Sequence, residues 1–202
     1  MRQPAPRTRA RMDSISSKES NGSDHQSLEA RELTVPATGT PTVGGARTLL
    51  STSTQMRGHE VAFSPNRRII EGPGLVYLNG NYVLYYAAGS CERDGAPNKV
   101  NSYTLNLALG NMGPGINMSN VSFTKANGPS LVGNAEKTNT GHGTMVVDKA
   151  GKPFFYGHYI PASDSTGLRR TFFQEMLTGP YGYYFQDGVV QDVYDSARAP
   201  VP

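Results

Sequence analysis

Glu71 is the residue whose surroundings most favour chemistry. It is followed by Gly72 and Pro73 and opens a tyrosine-rich stretch that runs to Tyr86. Pro73 fixes the backbone and Gly72 relaxes it, so the carboxylate can be held in one place, as a general acid requires. The alternative is a solvated charge at the end of a loop, which is the ordinary state of a surface carboxylate.

Histidine provides the second group of candidates. His142 lies between Gly141 and Gly143, and its ring can therefore project into a channel without crowding. The alternative is a histidine that hydrogen-bonds to the backbone of its own loop. His158 lies in an aromatic stretch and is predicted to be a core or rim histidine rather than a ligand.

Both candidates precede predicted β-hairpins. Residues 74–87 alternate around an Asn79-Gly80-Asn81 turn, whose residues tolerate the positive φ of tight hairpins. A second hairpin is predicted over residues 144–159, and residues 169–176 are predicted to begin a third unit. The other predicted strands cover residues 47–52, 103–110, 121–125 and 181–186. Recurring hairpin units of this kind are typical of β-propeller blades.

The composition bounds the class of protein. The chain has 202 residues and a formal charge of +3, and its 23 glycines, 14 prolines and 11 tyrosines favour short strands joined by turns. The charge is too small to indicate a nucleic-acid partner. The single cysteine, Cys91, excludes an internal disulfide and a cysteine-based zinc site. No apolar run approaches the roughly 20 residues that span a bilayer, so no membrane partner is predicted.

Residues 1–38 differ from the rest of the chain. They are rich in Arg, Ser, Pro and Thr, and the first aromatic residue is Phe63. Such a segment buries too little apolar area to offset the entropy of ordering it, so it is predicted to be disordered, with at most one helical turn at 27–33. The first twenty residues lack the apolar region of a secretory signal, and the compartment stays open. The folded domain is predicted to span residues 39–195.

Several short motifs follow one another along residues 42–187. They are Glu71-Gly72-Pro73 before the tyrosine-rich hairpin, Tyr103-x-Leu105-x-Leu107-Ala108-Leu109-Gly110, Phe123-Thr124-Lys125, Gly141-His142-Gly143, Tyr156-Gly157-His158, and Arg169-Arg170 before Phe172. In this order they resemble the third and later blades of glycoside hydrolase family 43. The resemblance implies an all-β fold, namely a partial β-propeller with about three blades of a five-bladed type. It also implies hydrolysis, with inversion, of O-glycosidic bonds in arabinan- or xylan-type plant polysaccharide.

The same resemblance implies roles for three residues. Glu71 matches the family's general acid, and His142 matches a central-channel histidine that in many members helps to hold calcium or another ion through water. Arg169 is the weaker candidate for an active-site arginine that binds substrate, because Arg169 and Arg170 point to opposite faces and either could serve. Four tyrosines of the first hairpin are expected mainly in the blade core, although such residues also stack on sugars: Tyr77, Tyr82, Tyr85 and Tyr86.

The chain departs from the family where the catalytic base should lie. The first blade, which carries the base Asp, has no counterpart, because Asp13 and Asp24 lie among serines and asparagines rather than at the start of a strand. The second blade is predicted to keep one strand at most. The sequence therefore predicts a truncated glycosidase chain with an acid and no base, whose partner is an oligo- or polysaccharide. Two alternatives stay open, a non-catalytic carbohydrate-binding or interaction remnant of a propeller and an unstable gene fragment.

A general acid must also keep its proton near neutral pH. An aromatic, partly desolvated pocket and a neighbouring carboxylate both raise the pKa of a carboxyl group. The family role therefore predicts a raised pKa for Glu71.

Overall fold

The computed structural model describes residues 8–18, 24–36, 38–52, 60, 69–78, 81–89, 103–111, 113–126, 137–164, 166–179 and 182–184. Every element among them is a β-strand, which confirms the predicted all-β class. The strands are β1 (Thr8–Lys18), β2 (Asp24–Thr34), β3 (Thr42–Ser51), β4 (Ile70–Leu78), β5 (Asn81–Gly89), β6 (Tyr103–Gly110), β7 (Phe123–Lys125), β8 (Lys137–Val147), β9 (Pro153–Pro161), β10 (Arg170–Glu175), β11 (Leu177–Gly179) and β12 (Gly182–Tyr184). The described part of the chain has no helix that could cross a membrane.

Hydrogen bonding arranges these strands into antiparallel sheets. The N-terminal sheet has the order β1-β2-β3, the central sheet β4-β5-β6-β7, and the third sheet β10-β9-β8. A small sheet, β11-β12, follows. Strands that are neighbours in sequence are neighbours in each sheet, as in the blades of a propeller. The first three sheets match the predicted number of about three blades, but they are not the units that the sequence predicted, because the N-terminal sheet is one of them and β10 belongs to the third sheet.

The central sheet begins with the predicted hairpin. β4 pairs with β5 from Ile70↔Ala88 to Leu78↔Asn81, and residues 79–80 of the predicted turn lie outside the described residues. The register shifts between Glu71 and Gly74, directly after the candidate acid. Bulges of this kind re-aim a side chain without ending the strand.

The central sheet is buried on both faces. One face, which includes Leu84 and Tyr86, packs against Leu50 and its neighbours in the N-terminal sheet. The other face, which includes Tyr85, packs against Phe155 of the third sheet. Tyr85 and Tyr86 are 1% and 0% exposed, so their predicted core role is confirmed. Each large apolar side chain buried in this way contributes about 1.5–3 kcal/mol relative to exposure.

The described part of residues 1–38 contains two strands in place of the predicted disorder and helical turn. β1 pairs with β2 along its length, and β2 pairs with β3, so the N-terminal sheet has three strands where one was predicted. Leu28 and Ala30 are buried against the central sheet. They stand two residues apart, which is the period of a strand face. These few apolar residues are enough to order β2 because the central sheet buries them. Residues 1–7 and 19–23 lie outside the described residues.

The sequence predicted that residues 169–176 begin a third unit, and this prediction was wrong. β10 pairs with β9 from Arg170↔Tyr159 to Glu175↔Phe154 and completes the third sheet. In the preceding connection, Asp164 Oδ1 accepts hydrogen bonds from the backbone N–H and the hydroxyl of Thr166. These hydrogen bonds stabilise a turn in the connection that precedes β10.

Lys125 on β7 forms a buried ion pair with Glu60 and also contacts the end of the N-terminal sheet. Lys125 Nζ lies 2.6 Å from Glu60 Oε1, and the two side chains are 1% and 0% exposed. Lys125 also donates a hydrogen bond of 2.8 Å to the backbone oxygen of Ser51 at the end of β3. Tyr86 Oη donates to Glu60 Oε1 at 3.4 Å. Each buried charge is therefore compensated by its partner and by additional hydrogen bonds.

Candidate active site

Glu71 is held by two side chains from neighbouring strands. Tyr103 Oη, on β6, donates a hydrogen bond of 2.6 Å to Glu71 Oε1. His142 Nδ1, on β8, lies 3.3 Å from the same oxygen. The Glu71 side chain is 25% exposed, so the carboxylate is anchored while solvent still reaches it.

An irregular backbone brings His142 to Glu71. β8 departs from regular pairing on both sides of Gly141, and His142 has a φ of +40°. Gly72 opposite has a φ of +58°, and a Cβ there would lie 3.1 Å from the Cα and ring atoms of His142. The close approach therefore requires glycine at position 72. Left-handed backbone at a residue other than glycine costs on the order of 1–3 kcal/mol and is concentrated at functional sites.

Tyr103 and His142 belong to one stack of rings. The rings of Tyr103 and His158 are nearly parallel, with centroids 5.6 Å apart and an interplanar angle of 6°. The rings of His158 and His142 are 6.1 Å apart at 28°. His158 on β9 thus contacts both groups that hold Glu71. Sequence reasoning assigned His158 to the core or rim and did not single out Tyr103, because the contacts that matter run between strands.

The pKa of Glu71 is lowered, opposite to the prediction. The hydrogen bond from His142 lowers the pKa of Glu71 most, and the Tyr103 hydrogen bond and the charges of His142 and Arg169 act in the same direction, against burial. Within the described residues, the charges that act on this carboxyl group are positive. The prediction assumed a neighbouring carboxylate, which the described part of the site does not supply. Glu71 is therefore ionised at neutral pH in this arrangement.

The two histidines have opposite protonation preferences. The hydrogen bond to Glu71 raises the pKa of His142, although burial opposes the shift. Burial, and after it the positive charges of Arg169 and His142, lower the pKa of His158 to about 4. Near neutral pH the stack therefore holds an uncharged imidazole at His158, while the pair with Glu71 favours the charged form of His142.

Stability is expected to fall as the pH drops from about 6.5 toward 4. His158 has a pKa of 6.5 when unfolded and about 4 in the fold, so between these values the unfolded chain binds more protons. The raised pKa of His142 changes the stability mainly above pH 6.5, and the lowered pKa of Glu71 changes it mainly below pH 4.5. Of the three groups, only His158 therefore changes stability between about pH 6 and pH 5.

Unfolding temperatures across this pH window test the assignment. His158→Phe keeps a ring against Tyr103 but cannot titrate, so its unfolding temperature should decline less with acidification than that of the wild type. An equal decline in both proteins would show that another group is responsible.

Arg169 is the arginine whose charge acts on Glu71, His142 and His158, which together with Tyr103 form the Glu71 cluster. Arg169 lies just before β10, and it adds to the effects of hydrogen bonding and burial on the pKa of Glu71, His142 and His158. Arg170 is the first residue of β10, and both arginines are exposed. The electrostatic effect on these three groups therefore favours Arg169 over Arg170, and the role of Arg169 in binding substrate stays a prediction.

An open pocket of about 420 Å³ adjoins the Glu71 cluster. Pro73 lies on one side, and His142, Thr144, Tyr156, His158 and Thr171 line the other. This volume falls in the range of small-molecule sites. The pocket lining includes none of the four hairpin tyrosines. Two of them, Tyr77 and Tyr82, pack against each other with ring centroids 4.6 Å apart.

The described residues do not form a direct metal site. They contain no group of three or more His, Cys, Asp or Glu residues that could hold an ion. His142 Nδ1 is directed to Glu71, and calcium prefers oxygen ligands, so direct coordination of calcium by His142 does not fit. An ion held through water near His142 stays a prediction.

Solved structures share this architecture. The α-L-arabinofuranosidase from Lactobacillus brevis matches 91% of this chain with a TM-score of 0.59 and 14% identity. The xylan β-1,4-xylosidase from Bacillus halodurans C-125 matches 91% with a TM-score of 0.57 and 15% identity. A family-43 glycoside hydrolase protein from Bacillus licheniformis matches 84% with a TM-score of 0.51 and 17% identity. The fold is that of glycoside hydrolase family 43.

The family-43 fold confirms the resemblance drawn from the motifs. At these identities the likeness establishes the fold alone. The chain spans 57%, 36% and 30% of the lengths of the three structures. No protein-family model matches the sequence, and no curated protein matches it. The activity must therefore be argued from the site.

Proposed function

We propose that this chain carries the acid side of a glycosidase site that cleaves arabinan- or xylan-type polysaccharide. The observation that supports this most is the anchored carboxylate of Glu71 beside an open pocket. The solved structures that share the fold include an α-L-arabinofuranosidase and a xylan β-1,4-xylosidase. Pentose-containing polysaccharides are accordingly the substrate class that we propose.

In this role Glu71 donates a proton to the glycosidic oxygen as the bond to the anomeric carbon breaks. Tyr103 and His142 both contact Oε1. These contacts hold one oxygen of the carboxyl group, and in the proposal the other oxygen faces the leaving group. Proton donation to the leaving group by a fixed carboxylic acid is the first requirement of glycoside hydrolysis.

The second requirement is a base. An inverting glycosidase needs a second carboxylate roughly 6.5–9.5 Å from the acid to activate water. In the proposal, this base comes from outside the described residues. Its negative charge would also act to raise the pKa of Glu71, against the direction found among the described residues. The base would therefore supply the activated water and favour the protonated state of the acid.

The alternative is a site that binds sugar without cleaving it. The observation that favours it is the lowered pKa of Glu71, because an ionised carboxylate accepts hydrogen bonds from sugar hydroxyls but has no proton to donate. This alternative needs no second carboxylate.

Incubation of the protein with arabino- and xylo-oligosaccharides separates the two functions. The release of new reducing ends and the binding affinity would be measured on the same preparations. We expect binding of at least one of the two substrate classes, and cleavage only where a base from outside the described residues completes the site. Binding without cleavage would favour the non-catalytic site, and the absence of both would contradict a carbohydrate function.

A further inference from the structure

We infer that Tyr156 is the platform on which a sugar ring stacks beside Glu71. This inference rests on the proposed function as a carbohydrate site. Tyr156 lies on β9, lines the pocket and is 45% exposed, whereas Phe155 on the opposite face of the strand is fully buried in the core. An exposed aromatic ring in a pocket offers a flat apolar surface, and the faces of sugar rings that carry C–H groups are also apolar.

The ring of Tyr156 is held in place before a ligand arrives. The Phe173 ring on β10 meets it edge-on, with centroids 6.4 Å apart and an interplanar angle of 61°. Phe173 is in turn stacked on Phe154, with centroids 4.5 Å apart and an angle of 14°. A ring fixed by its neighbours loses little conformational entropy when a ligand packs on it.

Polar groups stand beside the platform. Thr144 is the register partner of Tyr156 on β8, and Thr171 is the register partner of His158 on β10. Both threonines line the pocket, and both are exposed. Each hydroxyl can donate and accept a hydrogen bond, as vicinal sugar hydroxyls also do. An aromatic face flanked by hydroxyl groups fits an uncharged sugar ring better than a purely apolar ligand.

Close approach of β8 and β9 beside Tyr156 depends on a glycine. A Cβ at Gly143 would collide with the carbonyl oxygen of Tyr156. Glycine at position 143 therefore lets β8 approach the backbone of β9 closely at Tyr156. His142 adjoins Gly143 and contacts Glu71, so a sugar ring on Tyr156 would lie next to the proposed acid.

The test is the binding of xylo- and arabino-oligosaccharides to Tyr156→Ala, measured by calorimetry. We expect an approximately tenfold loss of affinity, the order of an aromatic contact, with little change in Tyr156→Phe. The matched control is Tyr77→Ala, since Tyr77 is 61% exposed on β4 and does not line the pocket. Thr171→Val, which conserves shape, should weaken binding by a smaller factor. Wild-type affinity in Tyr156→Ala, or an equal loss in Tyr77→Ala, would overturn the inference.

Kinetics separate this inference from the proposed function. If the protein cleaves oligosaccharides, Tyr156→Ala should raise KM more than it lowers kcat. Cleavage with an unchanged KM would overturn the platform and leave the glycosidase standing. Binding that depends on Tyr156 in a protein without cleavage would keep the platform and remove the glycosidase. No binding by the wild type would overturn both.

Discussion

Replacement of Glu71 by Gln is expected to lower kcat/KM for oligosaccharides by roughly 10²–10⁴-fold, the usual contribution of general acid catalysis. The substitution conserves size, and the amide oxygen can still accept the hydrogen bond of 2.6 Å from Tyr103 Oη. The loss therefore reflects the missing proton rather than a collapsed site. Hydrolysis of the same oligosaccharides by wild type and variant, with the fold checked by unfolding temperature, provides the measurement.

The leaving group distinguishes an acid from a residue that only binds. A glycoside with a nitrophenol leaving group needs little protonation, so Glu71→Gln should keep most of its activity on that substrate. A matched control is Glu175→Gln, because Glu175 is a carboxylate that is 51% exposed and pairs with Lys152. Equal losses on both substrates, or full activity on oligosaccharides, would contradict the acid role of Glu71.

Replacement of Lys125 by Met is expected to destabilise the fold by about 3–5 kcal/mol. The substitution leaves the Glu60 carboxylate, which is 0% exposed, buried without its cation. It also removes the hydrogen bond to Ser51 that ties β7 to the N-terminal sheet. Chemical denaturation would measure the change in free energy of unfolding.

Two further variants test whether the buried charge is the cause. Glu60→Leu combined with Lys125→Met removes both charges and should recover much of the loss. Lys152→Met removes a cation from an exposed pair, with side chains 58% and 51% exposed, and should cost about 1 kcal/mol or less. A small loss in Lys125→Met, or no recovery in the double variant, would show that the pair contributes little.

Local pattern was sufficient to predict the hairpins. Strand alternation and turn residues located β4 with β5 and β8 with β9, and strict alternation located β6. The pairing of β10 was not predictable, because its own pattern does not state whether it completes one sheet or begins the next. That choice depends on the short connection at 162–169 and on the burial of Phe172 and Gln174.

The N-terminal sheet shows what composition cannot predict. Residues 24–34 are mostly polar, and their apolar content alone would not offset the conformational entropy lost when they become ordered. They form β2 because Leu28 and Ala30 meet an apolar surface that the central sheet presents. Similarly, no local signal in the sequence around Glu60 predicts that its carboxylate is buried against Lys125.

The roles of the site residues that the sequence singled out stay predictions, and the electrostatics around Glu71 differ from the prediction. Motif order and the flanking glycines pointed to Glu71 and His142, and the fold brings them together. The direction of the Glu71 pKa shift was wrong because it depends on charges from other strands. The contributions of Tyr103 and His158 also arise between strands, where a residue's type does not reveal which neighbour it contacts.

The most direct test of the account is to follow the histidine resonances by NMR while an arabino- or xylo-oligosaccharide is added. The chain has four histidines, and substitution of each would assign its signal. Saturable shifts are expected at His142 and His158, which line the pocket. If both resonances stay unchanged at sugar concentrations that saturate binding, the sugar binds elsewhere and the Glu71 cluster is not its site.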